Sequence, residues 1–595
     1  MNPTYLIVPD TRCAHGTGHI RRSFRTCMGL SGYAAMCLDF PWDGLLRDQD
    51  DCLALSDGSE AVALVSWQTI ETVTPAIIVL DAQTLTVAQM LSLLSVAPVV
   101  GIDTGGEGRA YASFLIDTLV NLETHQPNLY VPDALDLPPR VRTTPPSSGS
   151  RALICMGGDD IADLTEPLLQ AVALSNQLGP GSVDIVLPAS CFEPAGGLPQ
   201  RLEAFPVTGR VHTTNRLAAL LGEYDIVFCT FGLTAFEALA AGCTVITCAP
   251  TAYHAELTRK ASLPLLESPG PETIEATFDH MHEIWKHQET LRPLQETTLA
   301  ELIGSLDPSG CVGEPSGGPP RTPVVMRLPA RSFRPERHSG LLYLERFHPL
   351  TIEYNEEYFD EAYAKQYGRS YLDDFEHIRT MGMQRLKHIA TFLRGSKRGG
   401  KKGRLLDIGC AYGPFLSAAA SQGYDCVGTD VFSQAVTYVR DELGIPAFVA
   451  DATDLSRDRA EQLHDGVDVV TMWYVIEHID DLDRLFTALR NLLVPGGVFA
   501  FSTPNGRGIS ARRSLRSFLA ASPEDHRTVW TPQSARRYLS EQGFGSVRIR
   551  VTGHHPERIA PRMSKNRLGY RIVHLYSRLR GLGDTFEAYA RREGR

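Results

Sequence analysis

Long apolar runs are missing from this sequence. Nowhere do apolar residues persist for the ~20 positions a helix needs to cross a bilayer, so no membrane span is expected. The first residues also lack a basic stretch followed by a long apolar core. Met1-Asn2-Pro3-Thr4-Tyr5-Leu6-Ile7-Val8-Pro9 therefore reads as a first strand rather than an export leader, and a cytoplasmic protein is expected. The 12 cysteines include no CxxC pair and no histidine at zinc-ligand spacing. Without an export signal a disulfide framework is not expected. Cys229, Cys243 and Cys410 read as small core residues, and no metal site is expected. Excess positive charge is absent too: 57 Lys and Arg stand against 69 Asp and Glu, a net charge of −12, which disfavours nucleic acid as a partner.

The C-terminus is a local exception, with Arg571, Arg578, Arg580, Arg591, Arg592 and Arg595. Interleaved apolar residues make this a solvated helix face. Peripheral contact with an acidic membrane surface or a lipid-linked substrate is the alternative.

What is present is an ordinary globular composition, 43% hydrophobic and 21% charged, in a chain of 595 residues. That length exceeds one ordinary core. Two stretches read as linkers: Pro132 to Ser150, with Leu137-Pro138-Pro139 and Pro145-Pro146-Ser147-Ser148, and a flexible one over 305–340, rich in Pro, Gly, Ser and Arg. Such composition buries too little apolar surface to offset its ordering entropy. Three globular units are expected at 1–132, 150–304 and 341–585. Each alternates short β-like runs with helical stretches, the pattern of parallel α/β sheets. Examples are Ala76-Ile77-Ile78-Val79-Leu80, Ile226-Val227-Phe228-Cys229 and Val467-Asp468-Val469-Val470.

The most informative segment is Arg404-Leu405-Leu406-Asp407-Ile408-Gly409-Cys410-Ala411-Tyr412-Gly413-Pro414-Phe415. A strand runs into a glycine-punctuated turn and then a helix expected from Phe415 to Gln422. Glycines let the backbone turn tightly and approach a ligand, and the helix start offers free N–H groups. Alone, the loop suits many nucleotides. A second strand then ends at Asp430, placed to accept from two ribose hydroxyls. A third ends at Asp451, which could accept from an adenine amino group. A fourth is followed by Tyr474-Val475-Ile476-Glu477-His478, and Pro495-Gly496-Gly497 forms a turn before a fifth.

In this order the segments resemble the class I methyltransferases, in particular the ubiquinone-biosynthesis O-methyltransferase branch, over roughly Tyr358 to Val551. The resemblance implies a Rossmann-like domain with a seven-stranded sheet and S-adenosyl-L-methionine over the C-terminal ends of its first strands. By position it implies that Asp407, Gly409, Cys410, Ala411 and Gly413 shape the methionine and ribose pocket. Asp430 with Val431 holds the ribose, Asp451 with Ala452 flanks the adenine, and Trp473 closes the fourth strand beside the cofactor. Ala411 stands where many members carry glycine, a mild departure if its φ is negative. A dinucleotide-binding oxidoreductase is the competing reading, but the first turn lacks the full GxGxxG pattern.

Methyl transfer from a sulfonium asks the protein to align an acceptor and, for a hydroxyl, to take its proton. Glu477, His478 and His526 are the candidate bases, each with capping or packing as its alternative role. Upstream, Tyr354, Tyr358, Phe359, Tyr363, Tyr367 and Tyr371 precede a helix carrying Phe375, Ile378, Leu386 and Ile389; they could close as a lid.

Near the N-terminus, His15-Gly16-Thr17-Gly18-His19-Ile20-Arg21-Arg22 follows the first strand and opens a helix. Farther on come Met156-Gly157-Gly158-Asp159-Asp160 and Phe231-Gly232-Leu233-Thr234-Ala235-Phe236-Glu237. These segments resemble the nucleotide-sugar hydrolase of pseudaminic acid synthesis and the related spore-coat polysaccharide proteins. The resemblance implies a two-lobed GT-B pair of Rossmann-like lobes. In it Gly18, Gly232, Thr234 and Glu237 bind a nucleotide-activated sugar, and His19 is the base. Phe231 and His254 depart from the pattern of those relatives. The expectation is an α/β chain: a GT-B-like pair plus a methyltransferase domain that together modify saccharides. The rival is a methyltransferase carrying a non-catalytic glycan-binding or partner-recruiting module. Oligomeric state is open.

Overall fold

The computed structural model describes residues 4–12, 18–30, 32–43, 46–54, 62–147, 149–157, 160, 162–187, 189–192, 197–214, 216–293, 296–311, 313–314, 318–349, 368–393, 403–457 and 463–593. The chain divides into two compact units, Met1–Pro308 and Ser309–Arg595.

The first unit holds two sheets, parallel throughout among the described residues. One contains β1 (Tyr5–Pro9), β2 (Ala34–Met36), β3 (Ala63–Leu64), β4 (Ile77–Asp81), β5 (Val99–Ile102), β6 (Phe114–Asp117) and β7 (Leu129–Tyr130), in the order β3-β2-β1-β4-β5-β6-β7. The other contains β8 (Ala152–Cys155), β9 (Val183–Val186), β10 (Thr208–His212), β11 (Ile226–Cys229), β12 (Thr244–Cys248) and β13 (Leu265–Leu266), in the order β10-β9-β8-β11-β12-β13. Their central strands are continuous apolar runs, as burial on both faces requires: β1, β4, β8 and β11 are buried at every position. The proline-rich stretch between the sheets is tied down at Val141 and Arg142, whose N–H groups both donate to the Ala241 carbonyl.

In the second unit, composition misreads the start. The stretch expected to be a flexible linker carries β14 (Met326–Leu328) and β15 (Arg331–Pro335), which pair with β16 (Leu342–Arg346). Two buried features stabilise this sheet. Phe333 and Leu328 pack with Leu344, Leu519 and Val529, and the fully buried Arg334 guanidinium is paired with Glu345 at 2.8 Å. The fourth strand is β22 (Thr528–Val529).

The main sheet comprises β17 (Arg404–Ile408), β18 (Asp425–Asp430), β19 (Ala447–Val449), β20 (Val467–Trp473), β21 (Leu493–Pro504), β23 (Phe544–Thr552) and β24 (Thr585–Arg592). Its order is β19-β18-β17-β20-β21-β24-β23, with only β24 antiparallel to its neighbours. This is a seven-stranded Rossmann-like sheet. Pro495-Gly496-Gly497 is not a separate turn but the irregular start of β21, where the register with β20 shifts and Gly496 takes φ 77°. Helix Phe375–Phe392 packs Leu386, Ile389 and Phe392 against one face of the sheet, and helix Leu482–Leu492 packs Leu485, Phe486 and Leu489 against the other.

Candidate active site

The loop joining β17 to helix Pro414–Ser421 is built on left-handed backbone. Gly409, Ala411 and Gly413 have φ of 69°, 46° and 76°. Ala411 therefore departs from the expected negative φ. An alanine holds a conformation that L residues adopt at a cost of roughly 1–2 kcal/mol. What fixes it there is Asp430 at the end of β18, whose Oδ2 accepts the Ala411 N–H at 2.8 Å while Oδ1 accepts the Phe432 N–H at 3.0 Å. Gly409 has no such latitude: a Cβ added there would lie 2.4 Å from Val475 Cγ2. The helix starts at Pro414, one residue before expectation.

Asp407 is buried at the end of β17, and burial pushes its carboxyl up to about 8, although Thr471 Oγ1 donates to it at 2.6 Å. Asp430 is likewise raised by burial, against the backbone N–H groups of Phe432, Ala411 and Val431. Both carboxyls lie at the C-terminal edge of the parallel strands, where an α/β sheet takes its ligand. Cys410 is buried, with its thiol raised by burial. Val431 is exposed beside Asp430. Asp451 is exposed and caps a short turn, its Oδ1 accepting from the Thr453 N–H at 2.7 Å; Ala452 is buried behind it. Trp473 is half-buried, with the Arg385 guanidinium 4.2 Å from its ring centre and Phe415 edge-on at 5.1 Å.

Beyond β20 the three candidate bases come together. One ligand-capable atom from each of Glu477, His478 and His526 lies within 4.8 Å of the others. Glu477 is buried, its Oε2 has no well-aligned hydrogen-bond partner among the described residues, and burial, opposed by His478 and the Thr503 hydroxyl, raises its carboxyl to about 7. His478 Nδ1 lies 2.9 Å from Asp525 Oδ2. Burial works to lower the His478 pKa, but the bond to Asp525 and the neighbouring carboxylates outweigh it and raise it. His526 stands edge-on to His478 at 4.7 Å, and burial together with that neighbour lowers its pKa to about 3. A neutral imidazole, a histidine held by a carboxylate and a buried carboxyl oxygen suit two tasks. They can take a hydroxyl proton, or they can supply a glutamate and two imidazoles to a divalent cation. Sequence spacing showed no metal site because His526 reaches the cluster from a distant segment. Asp525 stands next to the candidate His526 in the sequence, but its role in orienting His478 was not foreseen.

In the first unit, His19 begins helix Gly18–Gly29 and its Nδ1 lies 2.5 Å from Asp81 Oδ1 at the end of β4. The buried Arg22 guanidinium binds both Asp81 oxygens at 2.7 Å and also meets Asp103 and Thr118. Burial raises Asp81, but Arg22 and His19 more than offset this and leave its pKa lowered. Across from His19, helix Leu233–Ala241 starts after Gly232, with Thr234 in its first turn, and Leu233 Cδ1 lies 3.2 Å from the Cβ position of Gly18. Glu237 lies 3.4 Å from Arg25, and burial raises its carboxyl. Arg22 closes the motif quoted from His15 to Arg22, whereas Asp81 and Arg25 escaped the sequence reading; the signal available for Asp81 was an acidic residue ending an apolar strand. His15, Gly16, Thr17, Gly158 and Asp159 lie outside the described residues, as do Tyr354, Tyr358, Phe359, Tyr363 and Tyr367 of the tyrosine cluster for which a lid was one reading. Tyr371 is described and packs beside Tyr412 at 6.0 Å.

A family described as a methyltransferase domain matches residues 376–548. The ubiquinone biosynthesis O-methyltransferase of Pasteurella multocida (strain Pm70) is 31% identical over 144 residues, 22% of this chain and 57% of that protein. The protein of the same name from Burkholderia pseudomallei (strain 1710b) is 27% identical over 168 residues, 26% of this chain and 69% of that protein. The chain spans 57%, 52% and 59% of the length of three such relatives. Among solved structures, a SAM-dependent methyltransferase from Archaeoglobus fulgidus is 18% identical with a TM-score of 0.27, covering 39% of this chain and 98% of that one.

Proposed function

We propose that residues 376–548, which match a methyltransferase-domain family, transfer a methyl group from S-adenosylmethionine, and that the chain methylates a hydroxyl of a saccharide. The observation that carries the hydroxyl assignment is the Glu477–His478–His526 cluster, with a buried carboxyl oxygen that lacks a well-aligned partner beside two imidazoles. The donor's sulfonium supplies the electrophile. This chain's residues hold the donor over the Asp407–Gly413 loop and Asp430, and take the acceptor's proton at Glu477 Oε2 or at a ring nitrogen of His526. Asp525 fixes the His478 ring. A second reading of the same cluster, favoured by its three convergent ligand atoms, gives it a divalent cation that would bind the acceptor oxygen and lower its pKa.

The saccharide assignment rests on the first unit, which we read as a GT-B-like pair that binds a nucleotide-activated sugar and hydrolyses or transfers it. His19 held by Asp81 is a histidine–carboxylate pair able to accept a proton, and the helix that carries Glu237 reaches Gly18, the residue before His19, through Leu233. The alternative is a non-catalytic glycan-binding or partner-recruiting module. His19→Ala and Glu237→Ala proteins decide between them: an active lobe loses turnover of its nucleotide sugar, and a binding module turns over none even in the wild type. Mass spectrometry of glycans from a deletion strain tests the saccharide reading; a methyl group is expected to disappear, and an unchanged profile refutes it.

A further inference from the structure

Helix Arg567–Leu579 turns its apolar side away from the core. Its buried residues are the small or slender Gly569, Val573 and Ser577. Gly569 is required at the seat, since a Cβ there would lie 2.0 Å from the Met563 carbonyl oxygen. The large apolar side chains face outward: Leu568, Ile572, Leu575 and Leu579 are 71%, 52%, 57% and 78% exposed. At 100° per residue these four fall within one stripe. Arg567, Arg571 and Arg578 form a second exposed stripe beside it, and the helix contains no acidic residue. Arg562, Lys565 and Arg580 extend the basic surface at either end, all exposed. Such charge is conspicuous in a chain whose net charge is −12. Of the basic residues grouped at the C-terminus in the sequence reading, Arg591 and Arg592 belong to β24 instead.

We propose that this helix is a monotopic anchor that lies on an anionic lipid surface, its four aliphatic side chains in the acyl boundary and its arginines at the headgroups. Exposed leucines alone would also fit a protein partner. The adjoining arginine stripe without any acid favours a surface of uniform negative charge. The helix leads directly into β24, whose first residue, Thr585, pairs with Pro504 at the C-terminal end of β21. Docking would therefore bring the methyl-transfer edge of the main sheet to the lipid surface.

The test is co-sedimentation of the full-length chain with vesicles of phosphatidylcholine alone or mixed equally with phosphatidylglycerol. The wild type is expected to pellet with the mixed vesicles and to be released by salt. Leu575→Glu with Leu579→Glu is expected to weaken partitioning at least ~10-fold, and Arg567→Gln with Arg571→Gln and Arg578→Gln to abolish the preference for anionic vesicles. Unchanged melting temperature and S-adenosylmethionine affinity establish that both variants fold. Wild-type protein that stays in the supernatant overturns the proposal, as does a leucine variant that pellets like the wild type. A leucine variant that converts a dimer to a monomer without altering vesicle binding would assign the face to a second copy instead.

Discussion

Replacing Gly409 with alanine probes, with one methyl group, the loop proposed to hold the donor. Two penalties combine. The backbone at φ 69° is left-handed, where a Cβ costs roughly 1–2 kcal/mol. The new methyl would also sit 2.4 Å from Val475 Cγ2. Val475 is β-branched and packs against the main core, so it has little rotamer freedom with which to withdraw. Overpacking of this kind costs typically ~1–3 kcal/mol. The sum, roughly 2–5 kcal/mol, must appear as lost stability, or as weaker donor binding if the loop moves to relieve it. At ~1.4 kcal/mol per factor of ten, the second route means a loss of at least ~25-fold in affinity. Isothermal titration with S-adenosylmethionine and calorimetric melting measure the two routes together. Ala411→Gly is the converse experiment: it removes the left-handed penalty at φ 46° and is expected to be neutral or stabilising by up to ~1 kcal/mol. A Gly409→Ala protein with wild-type affinity and melting temperature would refute the loop geometry.

Glu477→Gln is expected to lower kcat by ~100-fold or more while donor affinity stays unchanged, as removal of a proton acceptor requires; equal loss of both parameters would instead indicate a packing role. If the cluster works through a divalent cation, dialysis against a chelator abolishes turnover and added cation restores it. Asp407 titrates near 8 in the folded chain against 3.8 for an ordinary aspartate. The folded state thus binds more protons than the unfolded state between these values, and stability falls as pH rises through that window. Thermal melts between about pH 5 and pH 8 should show this fall, and Asp407→Asn should flatten it. In the first unit, Arg22→Met takes the cation from Asp81 and Asp103, which keep only His19 and the Thr118 and Leu119 donors, with an expected loss of ~3 kcal/mol measured by chemical denaturation.

The alternation of strands with helices and the Gly409–Gly413 turn were legible in the sequence because parallel strands are short continuous apolar runs and the loop's glycines are local signals. Ala411 was not, because its φ is set by a carboxylate on the next strand. The strands at Met326–Leu328 and Arg331–Pro335 hid among prolines and arginines. Their stability comes from Val529 and Leu519, far along the chain, and from a buried ion pair that composition counts as polar surface. Glu477, His478 and His526 were each visible as candidates, but their convergence depends on the segment around Asp525 returning to the end of β20. The same applies to His19, whose partner Asp81 lies three strands away in sequence and adjacent in the sheet.

In the proposed reaction the second unit binds a methyl donor at Asp430 and moves its methyl to an oxygen through the Glu477 cluster. Its most direct test supplies the full-length chain with methyl-labelled S-adenosylmethionine and the glycan fraction of a strain lacking this protein, and then identifies the labelled atom. Label is expected in a methyl ether on a sugar hydroxyl, absent with Asp430→Ala and strongly reduced with Glu477→Gln. Label on nitrogen or carbon, or undiminished ether labelling by Glu477→Gln, would contradict it.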